Sequence, residues 1–464
     1  MNDYESFLRS KERLHGDAGV DADGLPPQLF DFQRDLVTWA CRRGRAALFC
    51  STGLGKTAMQ LAWAQQMHRR AGVRVLILAP LAVSAQTVAE AARFGIDGVA
   101  LHDASSAPIV VTNYEKLGRV DASQFGAVVL DESSILKAFD GKTRTELIET
   151  FAATPYRLAC TATPSPNDFT ELGNHAEFLG VMTRTEMLAT YFVHDGGDTQ
   201  TWRLKGHAED AFWRWVASWG AFVRSPSDLG YSAGGYDLPP LSIEHHTVAA
   251  SHETAAAVGT LFLMEAKSLQ ERRAARRASL EERVRLAAEM ANANDEQWLL
   301  WCDLNDEGDA LTKAVRGAVQ VKGADSAEHK ERAMLDFAAG KLRVLVSKGS
   351  ICGYGMNFQS CANMAFVGLS DSWETFFQSV RRCWRYGQRR SVAVHIITSE
   401  LDGAVRSNVL RKQADFDRLS AEVAAHTSAF VQANVRAAAR MSDTHRIGAF
   451  TVPAWLVSEE EVAA

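Results

Sequence analysis

Short runs of apolar, β-type residues recur along this chain between segments of helical length, and this alternation constrains the fold most. The runs fall into two blocks, over residues 27–180 and residues 295–410. Strands that are apolar throughout are typical of parallel sheets whose two faces are both covered by helices. The sequence therefore predicts an α/β protein with two parallel-sheet lobes in tandem.

Each block contains five predicted strands. In the first block they are Ala46–Cys50, Val73–Ala79, Ile109–Thr112, Ala127–Leu130 and Arg157–Cys160. In the second block they are Gln297–Trp301, Ala318–Gln320, Arg343–Ser347, Met364–Val367 and Val392–Ile397. The whole chain has 464 residues, which is more than one ordinary hydrophobic core accommodates.

The two blocks predict five regions along the chain. Residues 1–24 form an N-terminal extension, and residues 25–180 form the first lobe. Residues 181–294 form a helical, tryptophan-containing region between the lobes, and residues 295–410 form the second lobe. Residues 411–464 form a helical C-terminal segment with an acidic tail, which is a candidate docking element for a protein partner.

The region between the lobes holds a cluster of tryptophans and a long helical stretch, His252–Asn292. The tryptophans are Trp202, Trp213, Trp215 and Trp219. Packing in a core or between lobes is a more typical role for them than base stacking.

The helical stretch carries arginines in pairs that are four residues apart, so each pair shares a helix face. The pairs are Arg272 with Arg276 and Arg273 with Arg277. This basic face would suit a phosphate backbone. It would equally suit solvent, because three nearby glutamates balance it: Glu271, Glu281 and Glu282. The sequence leaves both interpretations open.

The composition is that of a soluble globular protein, with 47% apolar and 23% charged residues. No uninterrupted apolar stretch reaches the roughly 18 residues of a membrane span, and the charged N-terminus lacks the apolar core of a secretory signal. The net charge of −6 does not mark the whole molecule as a nucleic-acid-binding protein. A local groove matters more than this sum. We therefore expect a cytoplasmic protein with no membrane partner.

Seven cysteines are scattered through the chain without a CxxC pair. An odd, unpaired set is typical of reduced thiols rather than of a disulfide framework or a zinc ribbon. Cys352 and Cys361 come nearest to a metal-binding pair. We expect them instead to be small buried hydrophobic residues.

A predicted ATP-binding loop follows the first strand and opens a helix. Its residues are Ser51, Thr52, Gly53, Leu54, Gly55, Lys56 and Thr57. Glycines let backbone N–H groups converge on a polyphosphate. Lys56 would place its charge at the β- and γ-phosphates, and the Thr57 hydroxyl would ligate Mg²⁺. The usual pattern has a further glycine where this chain has Cys50, so the loop alone does not establish ATP binding.

Two carboxylates, Asp131 and Glu132, end a strongly apolar run and complete the predicted ATP site. At the tip of a strand, Asp131 would hold the Mg²⁺ water shell, and Glu132 would orient and deprotonate the attacking water. A surface acidic pair after a strand is the alternative, and the preceding loop disfavours it. ATP and Mg²⁺ are the expected ligands.

In the second block, Gln378, Arg382 and Arg385 are spaced i, i+4, i+7, which predicts one face of a helix. Cations on one lobe that face phosphates held by the other are what an arginine finger requires. A basic helix face in solvent is the alternative interpretation. The expected catalytic residues are Lys56, Asp131, Glu132, Gln378, Arg382 and Arg385.

Together these motifs resemble helicase superfamily 2, and specifically its Swi/Snf-like branch of double-stranded DNA translocases. STGLGKT matches motif I, LAP with Leu81 and Val83 matches Ia, VTNYE matches Ib, DESS with Lys137 matches II, and TATP matches III. VSKGSICGYGMNFQ and QSVRRCWRYGQ match motifs V and VI. The resemblance covers about residues 25–410, including the segment Phe222–Pro240 that links the lobes. It implies two RecA-like lobes that clamp ATP between them.

The resemblance also assigns binding residues. Gln33 sits where such proteins carry an adenine-reading glutamine. Motifs Ia, Ib, IV and V line the nucleic-acid groove of the family, which implies contacts to phosphate that position the strand without reading its sequence. The residues nominated for these contacts are Thr112, Asn113, Ser347, Lys348 and Asn357.

Within the family, the compact length and DESS with Lys137 look most like the DEAD/DEAH-box helicases encoded by phages, which act in a bacterial cytoplasm. The chain lacks the long lobe insertions of chromatin remodellers. It also has Trp384 at a motif VI position where histidine is commoner.

The function that the resemblance implies is an ATP-driven motor on double-stranded or branched DNA, which remodels the DNA or displaces strands and proteins. A strand-separating DNA or RNA helicase is the alternative of the same class, because no wedge hairpin can be recognised from the sequence. An ATP-gated DNA clamp or adaptor that does not step is the alternative of another class. A clamp needs nucleotide binding but not both Glu132 and two arginine fingers, and the complete hydrolysis set argues against it.

Overall fold

The computed structural model describes most of the two lobes and parts of the C-terminal segment. The described residues are 14–80, 83–102, 106–137, 141–165, 168–195, 198–232, 234, 236, 238–249, 276–277, 279–352, 357–368, 372–400, 411, 418, 422–423, 427–429 and 431–436. Predictions for Leu81, for Arg272, Arg273 and Glu271, and for the acidic tail lie outside these ranges. Among the described residues, no helix combines the length and the apolar character needed to cross a membrane.

The first lobe is a seven-stranded parallel sheet with helices on both faces. Its strands are β1 Arg45–Cys50, β2 Val75–Ala79, β3 Val99–Leu101, β4 Ile109–Asn113, β5 Ala127–Asp131, β6 Tyr156–Cys160 and β9 Gly220–Val223. Its helices are α1 Asp31–Arg43, α2 Lys56–Ala71, α3 Ser84–Arg93, α4 Lys142–Thr150, α5 Leu172–Leu179, α6 Arg184–Tyr191 and α7 Glu209–Trp219. The strand order is β3-β4-β2-β5-β6-β1-β9. An antiparallel hairpin, β7 Phe192–Asp195 and β8 Asp198–Leu204, lies outside this sheet.

The second lobe is a six-stranded parallel sheet. Its strands are β10 Leu241–Val248, β11 Trp298–Cys302, β12 Ala318–Val321, β13 Val344–Lys348, β14 Asn363–Phe366 and β15 Val392–Ser399. Its helices are α8 Leu280–Asn292, α9 Asn305–Ala314, α10 Ala327–Ala338, α11 Gly349–Cys352 and α12 Trp373–Val380. The strand order is β10-β15-β14-β11-β13-β12. The predicted fold class, two parallel-sheet lobes in tandem, is confirmed.

Short 3-10 helices connect several of these elements. They are Tyr114–Arg119, Ala122–Gln124, Ser133–Leu136, Phe169–Glu171, Gly206–Ala208 and Pro226–Leu229.

All ten predicted strands are present, and most are buried on both faces of their sheet, whereas the edge strand β12 is only partly buried. In β1, Leu48 packs into one core and Phe49 into the core on the opposite face. In β11, Leu299 and Leu300 divide in the same way between the two cores of the second lobe. A strand enclosed on both sides has no polar positions, so its sequence is recognisable as an apolar run.

The region 181–294 contributes one edge strand to each sheet, which the sequence did not reveal. β9 pairs with β1, and β10 pairs with β15 over eight residues. β9 has only four residues, and β10 alternates polar with apolar residues as an edge strand does. Neither pattern is the continuous apolar run that identifies a central strand.

The tryptophan cluster packs into a core, as predicted. Trp213, Trp215 and Trp219 on α7 are buried in the core shared with the first sheet, and Trp202 packs against it. Trp215 and Trp219 stand edge to face with ring centroids 5.4 Å apart.

The described parts of the C-terminal segment pack on the first lobe. Val431 and Val435 are buried in one of its cores and Val423 in the other. The Asn434 side chain donates to the carbonyl of Ala217 at 3.3 Å. These residues therefore cover the chain's own first lobe.

Candidate functional site

The carboxyl ends of the parallel strands in the first lobe meet at one edge of the sheet, where ligands of open α/β sheets bind. The loop 51–57 follows β1 there, and we call it the phosphate loop. Glu132 follows β5 and Thr161 follows β6 at the same edge. Three segments far apart in sequence are thereby brought together.

The phosphate loop has the backbone conformation that its glycines permit. Gly53 has φ 88° and Gly55 has φ 79°, and the 16-residue helix α2 begins directly afterwards at Lys56. The ammonium of Lys56 donates to the carbonyl of Cys50 at 3.0 Å. The Thr52 hydroxyl is buried and has no hydrogen-bond partner among the described residues. The positive φ angles of the two glycines turn the loop directly ahead of a long helix, and the buried Thr52 hydroxyl is available to donate a hydrogen bond. Both features suit the binding of a polyphosphate.

Gln33, on α1, holds the phosphate loop in place through a hydrogen bond. Its amide nitrogen donates to the carbonyl of Leu54 at 2.8 Å, and its amide oxygen accepts from the backbone N–H of Phe30 at 3.0 Å. A Cβ atom on Gly55 would lie 2.3 Å from the Gln33 amide nitrogen. The glutamine therefore fixes the loop from the side, and its predicted contact with adenine stays a prediction.

Asp131 and Glu132 are held by residues from three neighbouring elements. Gln60 on α2 donates to the Asp131 carboxylate at 2.7 Å, and the Tyr114 hydroxyl donates to the Asp131 carbonyl at 2.7 Å. The Thr161 hydroxyl donates to the Glu132 carboxylate at 3.3 Å. Both carboxylates are thus fixed beside Lys56 at the mouth of the phosphate loop.

Burial raises the pKa of both carboxyl groups, and the charge of Lys56 opposes that rise. For Asp131, burial is the main cause, and the hydrogen bond from Gln60 and the Lys56 charge lower the pKa. For Glu132, burial again raises the pKa most, while Lys56 and Arg382 lower it. Arg382 belongs to the second lobe, and its charge opposes the rise in the pKa of Glu132.

The structure corrects the predicted helix that carries the arginines. α12 ends at Val380, so Gln378 lies in its last turn, and Arg382 and Arg385 follow the helix. The guanidinium of Arg382 still donates to the Gln378 side chain at 3.2 Å. Arg381 takes the C-cap position, and the chain turns there.

The two arginines reach different parts of the first lobe. Arg382 is 5% exposed and acts on Glu132. Arg385 lies near Glu90 on α3; burial and the neighbouring Arg382 charge lower the pKa of Arg385 to about 10, and Glu90 opposes that shift. Of the two predicted finger residues, Arg382 is therefore associated with Glu132 and Arg385 with Glu90; their predicted catalytic role stays a prediction.

An ion pair between Lys137 and Glu374 also joins the lobes. Lys137 follows the Ser133–Leu136 turn of the first lobe, and Glu374 lies in the first turn of α12. The Asn174 side chain donates to the Lys137 carbonyl at 3.0 Å. Lys137 is thereby anchored to α5 while its ammonium reaches the second lobe.

A cavity of about 420 Å³ lies between the phosphate loop and the second lobe. Tyr386 forms part of its wall and stacks on Tyr236 with ring centroids 4.6 Å apart. The Arg381 guanidinium lies 4.3 Å from the centre of the Trp384 ring. The Trp384 indole donates to the carbonyl of Pro239 at 2.7 Å, so this tryptophan anchors the segment that links the lobes.

The residues nominated for nucleic-acid contact do not form one exposed surface. Thr112 and Asn113 are buried at the end of β4, and the Asn113 amide has no hydrogen-bond partner among the described residues. Ser347 is buried and donates its hydroxyl to the carbonyl of Val321 at 2.9 Å. In this conformation Ser347 has no hydroxyl free for a phosphate. Lys348 and Asn357 are half-buried, and Lys348 lines a second cavity of about 250 Å³.

Arg276 does not belong to an exposed basic face. It is buried, and its guanidinium forms an ion pair with Asp303 at 2.6 Å. Arg277 is exposed. Of the two described arginines of the proposed basic face, one is therefore packed in the interior and the other faces solvent.

Three residues of the site were not predicted from the sequence. Gln60 could have been found, because it lies four residues after Lys56 on the same face of α2. Tyr114 stands in the VTNYE motif, but the motif did not indicate its hydrogen bond to Asp131, and Glu374 offered no local signal. Both roles depend on which strands and lobes become neighbours.

Comparisons with known proteins match both lobes. Residues 28–166 match the family model of the type III restriction enzyme res subunit, and residues 281–387 match that of the helicase conserved C-terminal domain. No curated protein matches the chain. Among solved structures, the chain is similar to the Sulfolobus solfataricus SWI2/SNF2 ATPase core in complex with dsDNA, at 18% identity and a TM-score of 0.41. That alignment covers 90% of this chain and 98% of the other.

Proposed function

We propose that this chain, a helicase-type ATPase of superfamily 2, couples ATP hydrolysis to movement along double-stranded or branched DNA. The observation that carries the proposal is the division of the catalytic residues between two lobes. Lys56 and Glu132 belong to the first lobe, Arg382 is held by Gln378 in the second, and the ion pair between Lys137 and Glu374 joins the two lobes. Because the site is complete only when the lobes meet, each hydrolysis event can change their separation.

Residues of the first lobe would hold the nucleotide and its metal ion. Lys56 and the backbone of the phosphate loop would bind the phosphates, while Thr57 and Asp131 would hold Mg²⁺. Bound Mg²⁺ would supply positive charge against the phosphate oxygens. The hydrogen bond from Gln60 keeps Asp131 oriented toward this position.

Glu132 is suited to accept the proton of the attacking water. Its burial raises its pKa and makes it a stronger base, and the Lys56 charge counteracts full protonation. A general base of this kind contributes about 10²–10⁴-fold to the rate. The Thr161 hydroxyl holds the carboxylate in place at 3.3 Å.

Arg382 would stabilise the charge that develops during hydrolysis. Its side chain is ordered by two bonds to Gln378, one to the carbonyl at 3.3 Å and one to the amide oxygen at 3.2 Å. A finger residue held in this way loses little freedom when the cleft closes. Arg385, near Glu90, would stabilise the closed arrangement of the lobes.

Movement follows if each lobe grips the phosphate backbone in turn. Asn113 in the first lobe and Lys348 and Asn357 in the second remain the proposed contacts. Asn113 and Asn357 each have a buried side-chain atom without a hydrogen-bond partner among the described residues. These atoms are therefore available for a polar contact with bound DNA.

The test measures ATP turnover with no nucleic acid and with single-stranded DNA, duplex DNA, forked DNA and RNA. We expect the largest stimulation by duplex or forked DNA. Lys56→Ala and Glu132→Gln are expected to abolish turnover while leaving DNA binding largely intact. Displacement of a third strand from a DNA triplex then reports movement on the duplex.

The other functions give different results in the same assay. Stimulation by single-stranded DNA or RNA together with separation of a duplex would support a strand-separating helicase. Tight, ATP-dependent DNA binding without triplex displacement would support a clamp. Turnover at the wild-type rate in Glu132→Gln would overturn the assignment of the site.

A further inference from the structure

Three potential metal ligands meet at the outer edge of the second sheet, away from the ATP site. Glu244 and His246 lie on the edge strand β10, and His395 lies on its neighbour β15. The parallel register pairs Glu244 with His395. His246 is two residues beyond Glu244 and therefore points to the same face of the sheet.

The donor atoms of this trio face one another. His246 Nε2 lies 3.1 Å from His395 Nδ1. The Glu244 carboxylate lies 3.5 Å from His395 Nδ1 and 3.9 Å from His246 Nε2. In a tetrahedral zinc site the metal–ligand distances of about 2.0–2.2 Å place neighbouring donors roughly 3.3–3.6 Å apart. The separation of 3.5 Å lies within this range, and the other two differ from it by 0.2 and 0.3 Å.

We propose that Glu244, His246 and His395 form a binding site for a transition-metal ion, with Zn²⁺ as the expected occupant. Two imidazoles and one carboxylate are typical ligands of zinc, whereas Mg²⁺ and Ca²⁺ prefer oxygen ligands alone. The side chains of Glu244, His246 and His395 are 52%, 25% and 15% exposed. An ion can therefore enter from solvent and keep water as its fourth ligand.

The surrounding structure holds the three ligands in place before an ion arrives. β10 and β15 pair over eight consecutive residues, which fixes the strand register. One Glu244 oxygen accepts from the Ser242 hydroxyl at 3.4 Å, and the other faces the two imidazoles. The His395 ring stacks on the buried Trp298 ring, with centroids 5.6 Å apart. Only small side-chain adjustments are needed to close the site.

An ion here would join two strands that are far apart in sequence. β10 follows the segment that links the lobes, and among the described strands it pairs with β15. The carbonyl of Pro240, at the start of β10, accepts from the backbone N–H of Val392 at 2.9 Å. The metal would therefore fasten the second-lobe end of the linking segment to the sheet. It would stabilise the second lobe without touching the ATP site.

The experiment titrates untagged full-length protein with Co²⁺ and follows the visible absorption of the bound ion, after which Zn²⁺ is added in competition. We expect one equivalent to bind, with the spectrum of a four-coordinate site, and Zn²⁺ to displace it. His246→Ala and His395→Ala are each expected to weaken binding by at least about 100-fold, since even residues behind a metal ligand contribute 10–100-fold. Zn²⁺ should raise the unfolding temperature of the wild type but not that of His246→Ala or His395→Ala.

His245→Ala is the matched control, because neighbouring residues on a strand point to opposite faces. It should bind Co²⁺ as the wild type does. Glu244→Gln changes an exposed side chain and serves if a histidine variant does not fold; it should weaken binding too. Absence of a one-equivalent site in the wild type, or equal binding by His246→Ala or Glu244→Gln, would overturn the proposal. DNA-stimulated ATP turnover is measured separately, so this result does not depend on the motor function.

Discussion

Glu132 shows how a single residue of the site departs from ordinary backbone geometry. It has φ 56°, in the left-handed region, which costs a non-glycine residue roughly 1–2 kcal/mol. Its side chain is half-buried beside Asp131, and the loss of solvent raises the pKa of its carboxyl group. The fold thus places a strained and poorly solvated carboxylate at the position of the proposed general base.

We predict that Glu132→Gln is more stable than the wild type at pH 8. A folded-state pKa above the unfolded value means that the native state binds more protons, so the stability of the wild type falls as pH rises through that window. The neutral amide avoids this loss. Thermal unfolding measured from pH 5 to pH 9 should show a gap between the two proteins that narrows as pH falls. A variant less stable at pH 8 would contradict the prediction.

A second prediction concerns the pH dependence of ATP turnover. The pKa of Glu132 is raised. As the pH is lowered, kcat/KM should therefore begin to fall at a pH above the ordinary pKa of a glutamate side chain. Arg382 lowers this pKa, so Arg382→Gln should move the acid limb to higher pH, besides slowing turnover.

The matched control for that shift is Arg389→Gln, which removes an exposed arginine seven residues away. Its acid limb should coincide with that of the wild type. If Arg382→Gln only lowers the rate and leaves the limb in place, Arg382 does not act on Glu132.

At the scale of elements, α12 carries a contact to the first lobe at one end and orders a predicted finger residue at the other. Its first turn holds Glu374, which pairs with Lys137, and its last turn holds Gln378, which orders Arg382. The helix is only eight residues long, so both contacts move together. A shift of α12 would change ATP-site chemistry and lobe contact at once.

We predict that Glu374→Gln raises the KM for ATP by roughly two- to fivefold, because it removes an ion pair of the closed cleft. The Lys137 side chain is 40% exposed, and a pair of this kind contributes at most about 1 kcal/mol. Lys137→Ala should have the same effect, and the double variant should add nothing further.

Glu289→Gln is the control for this prediction. It breaks an exposed ion pair, Arg285 with Glu289 on α8, within the second lobe. Its KM for ATP should match the wild type. Additive effects in the double variant would show that Lys137 and Glu374 do not act as a pair.

At the scale of the whole molecule, the net charge of −6 means that DNA binding must come from a local surface. Backbone contacts release counterions, so the logarithm of the binding constant should fall steeply with the logarithm of the salt concentration. A flat response would contradict a phosphate-tracking groove.

Lys348→Ala tests where that groove lies. If Lys348 contacts a phosphate, its removal should weaken binding to all DNA sequences alike and reduce the salt slope by about 1. Lys341→Ala removes a lysine whose side chain is 74% exposed and should leave the slope unchanged. Fluorescence anisotropy from 50 to 300 mM salt measures both.

The residues of the site in the first lobe were easier to predict from the sequence than those in the second lobe. The phosphate loop, Asp131 and Glu132 are contiguous with strands, so local sequence located them. The helix predicted through Arg385 was wrong in extent because α12 ends at Val380, and spacing alone does not reveal where a chain turns. For Ser347, the sequence suggested a free hydroxyl, but the fold directs it to Val321.

The sequence alone located the central strands of both parallel sheets, because a strand enclosed on both faces is largely apolar, and that requirement is local. Tertiary structure alone decided which distant side chains meet. Lys137 and Glu374 are 237 residues apart, and His246 and His395 are 149 residues apart. Their contacts depend on how lobes dock and edge strands pair, and no local pattern of hydrophobicity records either arrangement.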